Sequence, residues 1–415
     1  MLKPLPRLQP SYYETFRCVG SVCEDTCCRG WRIPVDKQTY EKYQSCSDNE
    51  LGPRLRELVN ISASHSSDES YAEIKLSSGA CGFHVDGLCE VQAKLGEAYL
   101  SKNCATYPRV MYEVEGVLER SLDLSCPEAA RLALTNPEPM RFVECTGEDD
   151  GHRLGVIGKV DAANTKHQEK SYRAVNEVRR LMIALMQNRQ FTISQRLRKL
   201  GHVCERLEAE GANEGCVDLR KIVESQDGIN PSVSMPATAR FEAVIELILA
   251  RIGSDATSKR FLDCYRNLMS GLHWTMESTM EDLAARLESA QRGIYAQFLA
   301  EHSYILENYL VVYIFRGLFP FGSESVNRKF ADYGFKNSVT HHYQMMIADF
   351  AVIDTMMSGL AAFYGERFNL SEALKVIQSA TKTFEHSISY PGKALELLAG
   401  KGMVDCRSMG MLIRD

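Results

Sequence analysis

The chain has 415 residues, 45% hydrophobic and 25% charged, an ordinary globular composition with room for two or more domains. A formal net charge of -6 and a pI near 6.0 give no global basis for nucleic-acid binding, so no nucleic-acid partner is expected. Met1–Phe16 carries three prolines and no apolar signal core, and no uninterrupted apolar run approaches the roughly 20 residues of a membrane span; a reducing cytoplasm is the expected location.

Ten of the fourteen cysteines lie in the first 145 residues, and eight form one pattern. It runs Cys18-x4-Cys23-x3-Cys27-Cys28, then Cys81-x7-Cys89, then Cys104 and Cys126. Free thiols at this density oxidise and cross-link, whereas grouped thiolates supply soft anionic ligands to zinc or iron–sulfur groups. The adjacent pair Cys27-Cys28 argues against disulfide stapling, because neighbouring cysteines close a strained ring. Cys46 and Cys145 fall outside the pattern.

Along this cysteine-rich module the sequence predicts a short helix over Lys37–Cys46 and a polar loop over Ser62–Ser70. Alternating apolar residues predict a strand over Tyr71–Leu76 and a hairpin over Arg109–Leu124 turning at Gly116. Ser125-Cys126-Pro127-Glu128 reads as a capping box starting a helix that runs to about Leu134. Cys126 then lies at a helix start, where the backbone dipole favours a thiolate.

A loop-like stretch, Asn136–Gly158 with Glu148-Asp149-Asp150, divides a module of residues 1–140 from a helical domain of residues 155–415. Beyond it Ile193, Leu197, Leu200, Cys204 and Leu207 recur at helical spacing, as do Phe241, Ile245, Ile248 and Ile252. Further helices are predicted over 258–270, 278–300, 303–318, 339–364 and 371–386, with turns at Gly211–Gly215 and Gly228–Pro236. The fold class is mainly α: a helical bundle carrying a small cysteine-rich metal- or cluster-binding module with a short β-hairpin.

Several residues carry two readings. The basic stretch 173–206, with Arg179, Arg180, Arg189, Arg196, Arg198 and Lys199, could serve peripheral membrane association; a solvated helix face balanced by glutamates is preferred. His341, His342 and His386 could bind metal or act as bases, although structural roles are commoner. Tyr304, Tyr309, Tyr313 and Phe315 could wall an apolar channel, of a kind that keeps an amine neutral, or simply form core. Cys204, Cys216, Cys264 and Cys406 read as packing residues.

Phe16-Arg17-Cys18, Cys27-Cys28, Cys81-x-Phe83, Cys89 and Cys104-x-x-Tyr107-Pro108-Arg109 resemble the YkgJ-type CxxxCC metal-binding family. With Ser125-Cys126-Pro127-Glu128, Asn308–Phe315 and Phe384-Glu385-His386-Ser387 added, most of the chain resembles the flagellin lysine-N-methylase family. The resemblance implies transfer of methyl groups from S-adenosylmethionine to lysines of flagellin. It also implies an iron–sulfur cluster, of the 4Fe-4S kind rather than zinc, held by Cys18, Cys23, Cys27, Cys28, Cys81, Cys89, Cys104 and Cys126.

The sequence departs from two known methyl-transfer designs. The CxxxCxxC of radical S-adenosylmethionine enzymes is missing, and Gly151-x3-Gly155-x2-Gly158 lacks the spacing and preceding strand of a Rossmann loop. Motifs therefore locate no cofactor pocket and no catalytic residue. The alternatives are a metal carrier without catalysis, or a protein-binding bundle stapled by zinc.

Overall fold

A computed structural model describes residues 5–62, 67–77, 79–145, 155–160, 175–210, 221, 235–253 and 257–414. Residues 63–66 of the predicted Ser62–Ser70 loop lie outside these, as do Glu148–Asp150, Cys216, the turn Gly211–Gly215 and most of Gly228–Pro236.

Apart from β1 (Arg7–Pro10), which joins a later sheet, the first hundred residues fold into small pieces. Strands β2 (Pro34–Val35), β3 (Val59–Ile61) and β4 (Ala72–Ile74) pair in the order β2-β4-β3 beside α1 (Lys37–Gln44) and α2 (Leu51–Leu58). The Asp36 carboxylate caps α1 by accepting from the Thr39 amide at 2.9 Å. Two hairpins follow: β5 (Leu76–Ser77) with β6 (Ala80–Cys81), and β7 (His84–Val85) with β8 (Leu88–Cys89). Helices α3 (Glu90–Leu95) and α4 (Lys102–Thr106) complete the module, whose core holds Val35, Tyr43, Leu51, Leu55, Ala72 and Phe83.

The predicted hairpin forms as β9 (Arg109–Val114) and β10 (Val117–Leu122), turning through Glu115 and Gly116 at φ 47° and 77°. It is the centre of a larger sheet. β1 adds in parallel to β10, β11 (Phe142–Cys145) pairs antiparallel with β1, and β12 (Gly158–Val160) adds in parallel to β9. Strands from both sides of the 136–158 stretch thus share one sheet, and Val114 and Val160 join the core of the helical bundle.

Helix α5 (Pro127–Leu134) ends where expected, but the capping box does not form. Cys126, not Ser125, is the N-cap, and it makes no side-chain capping bond. The Ser125 hydroxyl instead lies 3.0 Å from the Tyr107 hydroxyl.

The bundle contains α6 (Val175–Met186), α7 (Ile193–Glu210), α8 (Ala237–Ile252) and α9 (Lys259–Gly271). Next come α10 (Met280–Arg292), α11 (Ile294–His302), α12 (Tyr304–Arg316), α13 (Glu324–Ala331) and α14 (Val339–Tyr364). The chain ends with α15 (Leu370–Phe384), α16 (Tyr390–Gly400) and α17 (Cys406–Met409). The predicted helix 278–300 is two helices, because Gly293 at φ -96°, ψ -112° leaves the helical region.

Helix α14 is the axis of the bundle, buried on almost every side and packed by α7, α8, α9, α10 and α15. Val339–Arg367 is long and apolar enough to cross a membrane by composition, yet nearly all of it is enclosed by protein. The α9–α14 crossing is tight at Gly359, where a Cβ would stand 1.9 Å from Leu268 Cδ1.

The basic stretch is only partly a solvated face: Arg180 and Arg189 are exposed, but the other basic residues named from sequence turn inwards. Arg179, Arg196, Arg198 and Lys199 are buried. Arg179 grips Glu119 through two hydrogen bonds of 2.7 and 2.8 Å, and Arg196 pairs with Glu307 at 2.8 Å. Buried cations need such partners, since desolvation otherwise costs several kcal/mol by order of magnitude. Residues 173 and 174 lie outside the described residues.

Candidate functional site

The eight patterned cysteines come from separate pieces of backbone that local hydrogen bonds draw together. The Cys81 amide donates to the Cys28 carbonyl at 2.7 Å, and a bridge between Arg29 and Ala80 fixes the register. The β7–β8 hairpin pairs Cys89 with His84. Ser101 caps α4 by accepting from the Cys104 amide at 3.3 Å.

Two neighbouring groups result. Cys28 accepts hydrogen bonds from the thiols of Cys27 and then Cys81, which pulls its own thiol far below the usual range. Cys89 and Cys104 lie within electrostatic reach of Cys28. Cys18, Cys23 and Cys126 form the second group, and Cys18 also reaches Cys27. At Cys126 burial outweighs the helix-start amides of Ala129 and Glu128 and lifts the thiol to about 12, so the dipole effect read from sequence does not prevail in the free thiol.

Among the described residues no three Cys, His, Asp or Glu side chains stand in a ready metal-binding arrangement, so the thiols are gathered but not arrayed. The donor set still fits a thiophilic cation. Ionising one thiol raises the cost of ionising its neighbours, and a bound cation relieves that repulsion. The remaining described cysteines stand apart: Cys46 packs in the module core, Cys145 ends β11, and Cys204, Cys264 and Cys406 are buried in the bundle.

A cavity of about 450 Å³ lies where the large sheet meets α12, α14 and α16, within the range of small-molecule sites. Its apolar part holds Tyr309 and Tyr313 of α12, Phe330, Met345, Phe384 and Tyr390. Asp349 of α14 is buried there, with the Tyr313 hydroxyl at 3.4 Å. Burial pushes its carboxyl up to about 7, against the opposing Tyr313 bond.

A polar cluster forms the other part of the lining. Arg316 lies 3.5 Å from Asp123 and contacts Glu385, while His386 lies 3.8 Å from Asp123. Burial raises the Asp123 carboxyl, but Arg316, His386 and Ser125 together hold it below its ordinary value.

The loop from Gly317 to Ser323 closes one side. Gly322 sits at φ 67°, and a Cβ there would come 2.2 Å from His342 Cε1. Both backbone and space therefore require glycine.

The cavity and the thiols adjoin. His386 Nε2 lies 3.3 Å from Ser125 Oγ, its ring packs 4.7 Å from Trp31, and Trp31 packs 5.3 Å from Tyr107. Tyr107 in turn neighbours Cys126 and Cys27. Helix α15 fastens the thiol loop: Lys382 donates to Asp25 Oδ2 at 2.9 Å and to the Thr26 carbonyl at 2.8 Å. Gln378 donates to Asp25 at 3.0 Å and to the Ser125 carbonyl at 2.7 Å.

Of the aromatic residues singled out in the sequence, Tyr309 and Tyr313 reach the cavity. Phe315 packs on Phe142 at 4.6 Å, and Tyr304 lies by His302. Of the histidines, His342 and His386 line the cavity, whereas His341 Nδ1 is 2.6 Å from the Lys336 carbonyl. Burial lowers His342 to about 3, so it stays neutral between Asn327 and Asn337, each 2.9 Å away. Asp123, Asp349, Glu385 and Tyr390 were not legible as site residues. The one signal was Asp349, a carboxylate amid an apolar helix.

Residues 179–412, more than half of the chain, match the FliB lysine N-methylase C-terminal domain. The chain belongs to the FliB lysine N-methylase family. Within it, the chain is 34% identical over 148 residues to the lysine-N-methylase of Salmonella typhimurium, covering 35% of this chain and 36% of that protein. The lysine-N-methylase of Salmonella choleraesuis matches to the same extent, so the aligned part spans about a third of these two relatives. The flagellar biosynthetic protein FliU of Salmonella muenchen is 35% identical over 146 residues, 34% of this chain and 85% of that protein. No solved structure matches the chain.

Proposed function

We propose that this protein is a protein-lysine N-methyltransferase acting on flagellin, with S-adenosylmethionine as methyl donor. The observation that carries the reading is the match of residues 179–412 to the FliB C-terminal domain, a stretch that supplies most of the cavity lining. The names of the relatives, a lysine-N-methylase and a flagellar biosynthetic protein, support the acceptor.

The residues suit the donor's groups. Arg316 and Lys329 complement a carboxylate, Asp123 and Glu385 complement hydroxyls and an ammonium, and the apolar wall of Val110, Tyr112, Ile157 and Phe319 suits an adenine ring. S-adenosylmethionine supplies an electrophilic methyl carbon. The chain's own work is to exclude water and keep the acceptor amine unprotonated, because only the neutral amine is nucleophilic.

Cys27, Cys28, Cys81, Cys89 and Cys104, with Cys18, Cys23 and Cys126 beside them, would hold an iron–sulfur cluster, which when bound supplies a cross-link between loop 18–28, the 81–89 hairpins and α4. A metal carrier without catalysis has no use for the cavity beside it.

Flagellin co-expressed with the protein should gain mass in whole methyl increments on lysines, read by intact-mass and peptide spectrometry. Anaerobically purified protein should contain iron and acid-labile sulfide. Cys28→Ser should lose both the iron and the methylation, while Cys264→Ser keeps them. Unmodified flagellin with a loaded cluster and bound donor overturns the reading.

A further inference from the structure

Asp349 is an unusual carboxylate. It lies on the most deeply buried helix, and among the described residues no cationic side chain pairs with it. Its Oδ1 has no hydrogen-bond partner, and neither has the buried hydroxyl of Tyr390 across the cavity. Burying a carboxylate oxygen and a hydroxyl without partners is costly, so both polar atoms are suited to a ligand that enters the cavity. The groups facing Asp349 are Tyr309 and Tyr313 of α12, with Arg316 further along it, and Tyr390 of α16, with Arg251 of α8 behind. His342 stands two turns back on α14, and Met345 one turn back.

We propose that Asp349, Tyr313 and Tyr390 form an ammonium subsite that receives the side chain of the acceptor lysine, and that Asp349 is the catalytic residue that takes its proton. The inference rests on the lysine-methylase reading for its acceptor. The chemistry follows from the lining. The four-carbon stem of a lysine packs against Tyr309, Phe330 and Met345, and the ammonium meets the faces of tyrosine rings, which attract cations. Its N–H groups satisfy Asp349 Oδ1 and Tyr390 Oη.

The proton then moves to Asp349: the N–H bond breaks, an O–H bond forms, and the electron pair stays on nitrogen as the nucleophile. Desolvation lowers the ammonium pKa and raises that of the carboxyl, which brings the two close enough for transfer. Burial already lifts the carboxyl to about 7.

The test uses the full chain, purified anaerobically, and two probes of matched shape, n-butylammonium and n-butanol, titrated calorimetrically at pH 8. The wild-type protein should bind the ammonium about tenfold more tightly than the alcohol. Asp349→Asn should abolish that preference, and Tyr390→Phe, which removes only an unpartnered hydroxyl, should reduce it without abolishing it. Methylation by Asp349→Asn should fall at pH 8 and recover as pH rises towards roughly 10, where lysine deprotonates unaided.

An ammonium preference retained in Asp349→Asn overturns the subsite, and so does wild-type protein that methylates flagellin yet binds both probes alike. A preference that depends on Asp349 in a protein that leaves flagellin unmodified upholds the ammonium site and overturns the flagellin reading instead.

Discussion

At the scale of single residues, the buried carboxylate of Asp349 makes a prediction about stability that is separate from catalysis. Its folded pKa, about 7, lies above the ordinary 3.8, so the folded protein keeps this proton longer than the unfolded chain does. Below about pH 4 both states are protonated and nothing is lost. Between about pH 4 and 7 the unfolded chain ionises while the folded carboxyl resists, so this group's contribution to stability falls as pH rises. Above that range the cost is constant, roughly 3–5 kcal/mol. Asp349→Asn should therefore be more stable than wild type by about that amount at pH 8 and nearly equal to it near pH 4. Urea unfolding at the two pH values checks this; equal stability at both would remove the premise that Asp349 is strained by burial. Arg179 shows the opposite case, because Glu119 meets its charge face to face.

At the scale of elements, helix α14 is a packing hub whose tolerance is set by Gly359. An added methyl there meets Leu268 Cδ1 at 1.9 Å and Leu268 Cα at 3.1 Å, so the α9 backbone itself is in the way. Gly359→Ala should cost about 1–3 kcal/mol from overpacking, despite the roughly 1 kcal/mol that alanine gains in a helix. Gly400→Ala, with nothing within 4 Å of its Cβ, is the control and should be neutral or slightly stabilising. Denaturant midpoints of both variants decide the matter. Elements were also where the sequence was most readable. Apolar stripes placed the 339–364 helix at its observed bounds and the 258–270 and 371–386 helices to within about two residues. What escaped was set by tertiary context: the break at Gly293, the use of Ser125 by Tyr107 rather than by α5, and the short strands β1, β11 and β12, which lack an alternating pattern and exist because β9 and β10 offer them edges.

At the scale of the whole molecule, the cavity was hidden from sequence reading for a definite reason. Its lining runs from Val110 to Pro391 and is assembled from the sheet, α12, α13, α14, the end of α15 and α16, so no local spacing encodes it. The thiol pattern was visible because one residue type recurs at short intervals; the cavity uses many types at long intervals. The same contrast explains the basic stretch 173–206. Charge is visible in sequence, but the partners Glu119 and Glu307 that draw Arg179 and Arg196 inwards lie 60 and 111 residues away.

The clasp made by Lys382 and Gln378 sets up a reciprocal coupling. Helix α15 holds Asp25 and Thr26 in the thiol loop through Lys382, and two residues further on its Phe384 lines the cavity. A ligand that steadies Phe384 must also steady the loop, and by thermodynamic reciprocity whatever tightens on the thiols tightens the cavity by the same factor. With iron on the thiols and S-adenosylmethionine in the cavity, as proposed, iron should be held more tightly against a chelator when S-adenosylmethionine or its demethylated product is present, and iron-loaded protein should bind either one more tightly than stripped protein. Lys382→Met should disconnect the two equilibria, leaving each ligand to bind without notice of the other, and a coupling that survives this change would mean the signal travels by another route.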